Sequence, residues 1–394
     1  MKRLNIMFVL LFCWSSVSAQ DFSQVLRSIE DNNLTLKSMQ KQYEAQKLEN
    51  HTGLAPENPE VGFNYLWGSP AVPGNRWDLN VTQSFDFPTA YFQRAKIADK
   101  QDYNADAQFR QGRMMILYTA QQACIEMVYY NALLHQYEVN IQNAEKLVAM
   151  CQKRFDAGDM GIVELNRSRL GLAELKNAYA RVKAEQQMAA LTLKQLNGDK
   201  EIALSVDSFL LTPPVKDFTM WYQQVEGRSP DLAYWSAQAE VDRLKVELNK
   251  SLRAPRFSVG YMSESNIGAD AEKYRGLTVG ISLPLWAQKN TIKQAKAQAS
   301  LTEMSYEDHK LQFRYQLERD YVKAKGLYES ALALRQAFNQ YNTAPLLLKA
   351  AAAGEISMED YFTEMDFYYK SLENVLAAER DYALANAELM SVEL

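Results

Sequence analysis

Glycine and proline are scarce in this sequence, 16 and 11 among 394 residues, so long unbroken elements are expected. Three Cys and three His are too few for a disulfide scaffold or a zinc framework. No CxxC, HExxH, GxSxG, Walker A or GxGxxG pattern occurs, which removes the common signatures of catalysis and nucleotide binding. No basic run of five or more residues exists and the net charge is −5, so electrostatic binding of nucleic acid is excluded. His51, His135 and His309 lie scattered in polar contexts and read as ordinary surface or groove residues. After the N-terminus no stretch approaches the ~18 apolar residues of a spanning helix. A membrane crossing by this chain would have to be made by strands.

Apolar residues at 47% and charged residues at 23% describe a folded chain. Its first nineteen residues have the form of an export signal: Lys2 and Arg3, the apolar run Leu4 to Trp14, then Val17-Ser18-Ala19 as a small-residue cleavage site. Cleavage near Ala19 would take the net charge from −5 to −7. Cys13 follows the bulky Phe12, which is wrong for a lipoprotein site, so lipidation is not expected. Cys124 and Cys151 fall in one expected helix, 27 residues and roughly 40 Å apart, and read as buried thiols rather than a disulfide. Met114-Met115 reads as core filling, and no cluster of His, Cys or Met emerges to bind a metal.

An internal repeat with an offset near 196 is the most informative feature. Asn33-Leu34 matches Asp231-Leu232, and Pro59 to Tyr65 matches Pro255 to Tyr261. Ser84 to Phe87 matches Ser282 to Leu285, and Ala157 to Glu164 matches Ala353 to Asp360. Matches in constant order and near-constant spacing read as a duplication. Val61, Phe63, Tyr65 and Trp67 alternate with Gly62, Asn64 and Leu66, and Trp77, Leu79 and Val81 with Asp78, Asn80 and Thr82. Phe257, Val259 and Tyr261, then Leu277, Val279, Ile281 and Leu283, alternate likewise in the second half. Period two marks strands with one apolar face.

The sequence therefore predicts a first repeat over 20–199 after a signal peptide over 1–19. It holds strands at about 59–67 and 76–87, a long helix at about 91–157 and a return helix at about 162–197. A linker over 200–217, an equatorial belt, leads to a second repeat over 218–394. That one holds strands at about 255–263 and 275–285, a long helix at about 288–353 kinked near Pro345, and a return helix at about 359–393. Leading helices are expected over about 21–49 and 218–251. Sixty helical residues extend on the order of 100 Å, and each return helix stacked on a leading helix would match that length.

Four strands cannot close on themselves, and lipid tolerates no open edge, so several copies must pool strands: two give eight, three give twelve. Tyr65, Trp67, Trp77, Tyr91, Phe92, Tyr274 and Trp286 lie at or near strand ends, where interfacial aromatic girdles sit.

The duplicated unit, the Asn58-Pro59-Glu60 strand entry and the turns Gly158-x-x-Gly-x-x-Glu164 and Gly354-x-x-Ser-x-x-Asp360 resemble the TolC-like outer-membrane efflux protein family. The compact length and strand entry are closer to its metal-efflux branch, the CzcC and CusC relatives. The resemblance covers the mature chain. It implies a mainly α fold with a small β part, and a homotrimer whose twelve-stranded outer-membrane β-barrel is continued by a periplasmic α-helical barrel. It implies a Gram-negative outer-membrane location reaching into the periplasm, no cofactor, and docking to a periplasmic adaptor (membrane fusion protein) and an inner-membrane RND-type or other pump. By the same resemblance Asp360 matches an acidic position ringing the tunnel mouth, while Thr363 stands where a second acidic residue can occur, with Glu364 beside it. Glu164 and Asp360 serve equally as helix N-terminal acids or as gate residues. Gly158, Met160, Gly354 and Ile356 are the candidate adaptor-docking residues at the tips, and Ser357 a candidate cap.

A type I secretion exit duct of the same fold fits equally well. A periplasmic adaptor would need a compact Gly-rich β-domain, a coiled-coil scaffold would lack lipid-suited strands, and an enzyme is disfavoured by the absence of catalytic motifs.

Overall fold

The computed structural model describes residues 22–69, 74–267, 272–286 and 289–394. The signal segment with Cys13 and Ala19, and the hairpin crown at 70–73, lie outside the described residues. The elements run α1 (Ser23–Asn32), α2 (Leu34–Asn50), β1 (Glu60–Leu66), β2 (Asn75–Phe85), α3 (Pro88–Asp156) and α4 (Ile162–Leu196). Then come α5 (Phe218–Glu226), α6 (Pro230–Ser251), β3 (Arg256–Ile267), β4 (Lys273–Ser282), α7 (Thr291–Tyr341), α8 (Ala344–Ala353) and α9 (Met358–Met390), closed by a short 3-10 turn, Ser391–Glu393.

Each expected leading helix is two helices. Asn33 breaks the first: its side chain accepts from the Leu36 amide and caps α2. Ser229 does the same for α6 through the Leu232 amide, with Pro230 in the first turn, where its missing N–H costs nothing. The second long helix is interrupted at Asn342-Thr343. Pro345 cannot continue a helical ladder, and Asn342 Oδ1 takes up the Ala344 amide at 3.1 Å. α3 carries no interior proline and runs unbroken for 69 residues. β4 stops at Ser282, ahead of Pro284, which has no donor to give a ladder.

The chain divides into two compact units, and both α3 and α7 contribute residues to each. One unit holds 33–118, 215–323 and 388–394. Here the four strands form one antiparallel sheet in the order β1-β2-β3-β4. Tyr43 stacks on Phe109 between α2 and α3, and the Phe218 and Tyr321 rings meet at a tilt between α5 and α7. Asp242 of α6 is buried; it accepts from Thr302 of α7 at 2.8 Å and pairs with Lys245 at 2.9 Å. His51 pairs with Asp102 at 3.0 Å, and His309 stacks on Trp235 with ring centroids 4.1 Å apart.

The other unit holds the residues up to Asn32 with 119–214 and 324–387. Cys124 and Cys151 are buried and free, and burial pushes the Cys124 thiol up to about 12. The linker has no regular structure, so side chains hold it. Asn131 donates to the Leu204 and Val206 carbonyls at 2.9 Å each, and the Tyr382 hydroxyl donates to the Thr212 carbonyl. At the end of α4 the buried Asn197 accepts from Ser28 and Asn32 of α1. Gly198 turns there with φ +63°, where a Cβ would sit 2.6 Å from the Asn32 carbonyl oxygen.

Between α7 and α9, Arg335 donates to both carboxylate oxygens of Glu379, which is 1% exposed. Removing the cation strands a buried charge. Arg335→Met is expected to cost about 3 kcal/mol, read as a lower thermal midpoint by circular dichroism, with most of the loss recovered in Arg335→Met/Glu379→Met.

Candidate functional site

The sheet has two chemically distinct faces, fixed by register. Val61, Val81, Tyr261 and Leu277 stand opposite one another across all four strands, as do Phe85, Phe257 and Ile281 across three. This apolar face is open: Leu277 is 82% exposed, and Val61, Phe63, Val279 and Ile281 are also exposed. The other face carries Gly62-Asn80-Met262-Gly276 and Asn64-Asp78-Glu264-Tyr274, with an Arg76–Glu264 ion pair at 2.8 Å. A sheet that is apolar on its open face and polar or small on the reverse suits lipid on one side and water on the other. β1 and β4 are both edges.

Aromatics gather at both ends of the apolar face. At the hairpin end Tyr65 faces Trp77, and the Tyr65 and Trp67 rings meet edge-on at 5.5 Å. At the helix end Phe92 and Trp286 are exposed, and the Tyr91 hydroxyl accepts from the Asp86 amide at 2.9 Å. From Trp77 to Phe85 the strand rises roughly 26 Å. Tyr274 departs from the expected girdle: strand parity sets it on the polar face opposite Glu264, where its hydroxyl donates to Glu272.

The two hairpin tips close alike. Gly158 (φ +81°) and Gly354 (φ +75°) adopt the left-handed conformation that ends each outgoing helix. The Gly158 and Asp159 amides donate back to Phe155 and Arg154 carbonyls, and the Gly354 and Glu355 amides to Ala351 and Ala350. The returning helices begin differently. Ser357 caps α9: its Oγ accepts from the Asp360 amide at 3.1 Å and donates to the Asp360 carboxylate at 2.6 Å. α4 begins at Gly161 with no side-chain cap bond, and the Glu164 carboxylate folds back over that glycine. Asp360, Glu164 and Glu364 are all exposed.

Met160 and Ile356 come together, packed against one cluster of Leu147, Cys151, Leu165, Ala351, Tyr361 and Met365. Both are therefore half-buried supports of the tip, whereas Gly158 and Gly354 are exposed. Met150 and Met358 pack on the same cluster, so the structure gathers sulfur that the sequence scatters. Met115, expected in the core, is exposed. A hollow of about 1110 Å³ borders the tip between α4 and α9, with Val163, Leu170, Arg167, Phe362 and Tyr369 among its walls, and the Arg167 guanidinium lies 5.1 Å from the Phe362 ring centre. Sequence reasoning missed it; its one signal was the seven-residue spacing of the exposed Val163 and Leu170. Among the described residues no group of three His, Cys, Asp or Glu is placed to hold a metal ion, and no helix is long and apolar enough to cross a membrane.

No protein-family model matches the chain, and no curated protein matches it in sequence. Solved structures do match in shape. CusC, described for transmembrane channel formation, superposes with a TM-score of 0.76 at 12% identity over 95% of this chain and 92% of its own. The outer-membrane channel OprN gives 0.77 at 16% identity over 94% and 89%. The outer membrane protein VceC of Vibrio cholerae gives 0.76 at 13% identity over 94% and 95%. These are TolC-family outer-membrane channels, and this chain has their fold.

The tip closures yield a local prediction. Ser357→Ala is expected to weaken the first turn of α9 by about 1 kcal/mol, roughly fivefold faster hydrogen exchange at the Asp360 and Tyr361 amides. Gly354→Ala meets open space but a forbidden φ and is expected to cost about 1–2 kcal/mol, felt in the same amides.

Proposed function

We propose that the chain is the outer-membrane exit duct of a tripartite efflux system in a Gram-negative cell. The observation carrying this is a sheet whose apolar face is open along all four strands and whose two edges are unpaired. In water that face is a liability and in lipid it is a requirement, but lipid also demands that the edges close. Three copies supply twelve strands and close a barrel with the polar face inward. The helices continue that barrel as a periplasmic α-helical tunnel. The element order helix-helix-strand-strand-helix-helix occurs twice along the chain, the second time with its outgoing helix broken into α7 and α8, which supports a duplication.

The duct is passive and has no enzymatic role or cofactor. The signal peptide directs export and is cleaved near Ala19, without lipidation. Substrate arrives from an inner-membrane pump through a periplasmic adaptor that meets the hairpin tips at Gly158, Met160, Gly354 and Ile356. Asp360, Glu164 and Glu364 line the tunnel mouth, where three copies converging on an axis make a cation-attracting ring. Because the Asp360 carboxylate is also bound by Ser357, this residue both caps α9 and contributes charge. A type I secretion duct of the same fold is the second reading, since the substrate belongs to the pump.

Protein extracted from outer membranes in mild detergent is expected to have three times the protomer mass and cation-sensitive conductance in planar bilayers. A water-soluble periplasmic monomer would overturn the proposal. Asp360→Asn is expected to weaken divalent-cation block of that conductance, and unchanged block would remove Asp360 from the mouth.

A further inference from the structure

At the helix end of the sheet, the apolar face runs into a hollow of about 590 Å³ walled by Phe85, Phe87, Pro88, Tyr91, Phe92 and Phe257, with Asp86 at its margin. Its wall is almost wholly apolar because the polar groups at this junction are turned elsewhere. Asp86 pairs with Arg94 at 2.6 Å and Arg256 at 2.9 Å, and Arg256 pairs with Glu57 at 2.8 Å. The hollow is therefore held on an ionic frame, and none of the described residues of its own unit fills it.

The register says what can reach it. Glu60 opens β1 and Ser282 ends β4, and the pairings Glu60↔Thr82, Thr82↔Gly260 and Arg256↔Ser282 set both at the same end of the sheet as Phe85. Strands alternate in direction, so the β4 edge of one copy can pair with the β1 edge of the next without reversing polarity. The segment that leaves β4, Leu283 to Trp286, then emerges beside the next copy's β1 entry, one strand from Phe85 and the first turn of α3. In its own copy that segment is stranded: Trp286 is 81% exposed, and Leu283 and Leu285 are exposed as well. The charges flanking the two edges are opposite. Lys289 and Lys293 are exposed just beyond β4, and Glu57 and Glu60 are exposed at the entry to β1.

From these observations we infer that Trp286 of one copy inserts into the Phe85–Phe92 hollow of its neighbour, a heterologous knob-in-hole joint repeated around the ring, with Lys289 facing the neighbour's Glu60. This rests on the barrel shared among copies proposed above, and it makes the hollow incomplete without the partner. A large aromatic in a desolvated apolar seat, ringed by polar contacts, has the anatomy of an interface anchor. Trp286 accordingly lies at the copy–copy seam, whereas Trp67 and Trp77 at the far end remain facing lipid.

The test is disulfide trapping in the outer membrane with the full chain carrying Phe92→Cys and Trp286→Cys. The native Cys124 and Cys151 are buried, so they leave the background quiet. Mild oxidation is expected to give a ladder of covalent dimer and trimer on non-reducing gels from the double variant, and only monomer from either single variant. A second readout needs no cysteine: quenching of tryptophan emission by brominated phospholipid in the unaltered protein and in Trp286→Phe. The quenchable emission is expected to be the same in both. A trimeric native mass with no ladder, or loss of quenchable emission in Trp286→Phe, overturns the joint and leaves the channel proposal standing. A monomeric native mass overturns the channel proposal itself.

Discussion

An unpaired strand edge is the constraint from which the rest of this molecule follows. A backbone N–H or C=O left without a partner in hydrocarbon costs several kcal/mol, far more than any single side-chain contact returns. Four strands leave two such edges, and a sheet with an open apolar face has no place in water. In the proposed duct, closure through other copies would satisfy both demands together. The polar face is rich in small residues, since Gly62, Gly260, Gly276 and Gly280 all fall on it, and in a closed barrel that face would keep the interior clear.

The helical unit solves a different problem, namely how to end helices without loose ends. Both hairpin tips use a left-handed glycine and the same pair of returning amide bonds, and both lean on one shared cluster through Met160 and Ile356. The linker, which has no ladder of its own, is held by the Asn131 and Tyr382 side chains. The two halves are nevertheless unequal. One outgoing helix is continuous and the other is interrupted at Asn342-Thr343, so the tips are alike in their turns and unlike in the shafts that carry them.

Much of this was legible in the sequence because it is written in periods. Alternation of two gave the strands, steps of three and four gave the helices, and Gly158 and Gly354 gave the turns, each being a local consequence of backbone geometry. Helix breaks were harder. Asn33 and Ser229 are residue types that cap helices, but whether such a residue interrupts a helix or merely starts one depends on what packs around it. Tyr274 was misplaced because aromatic type says nothing of parity; only the pairing with Glu264 settles its face. The meeting of Cys151 with Met150, Met160, Met358 and Met365, and the hollow between α4 and α9, arise from segments some two hundred residues apart. No window along a single sequence contains such contacts.

The buried cysteines carry one more consequence. Thiol–disulfide exchange requires thiolate, and a thiol held at about 12 is ionised at neutral pH to only about one part in a hundred thousand. Cys124 is thus a poor nucleophile for exchange, and burial raises the Cys151 thiol in the same direction. Once folded, the chain carries no bridge between these two cysteines, and burial keeps oxidants from both thiols. In the proposed duct, the step that commits the folded chain would be its encounter with other copies, and yield would follow protein concentration and lipid rather than redox poise.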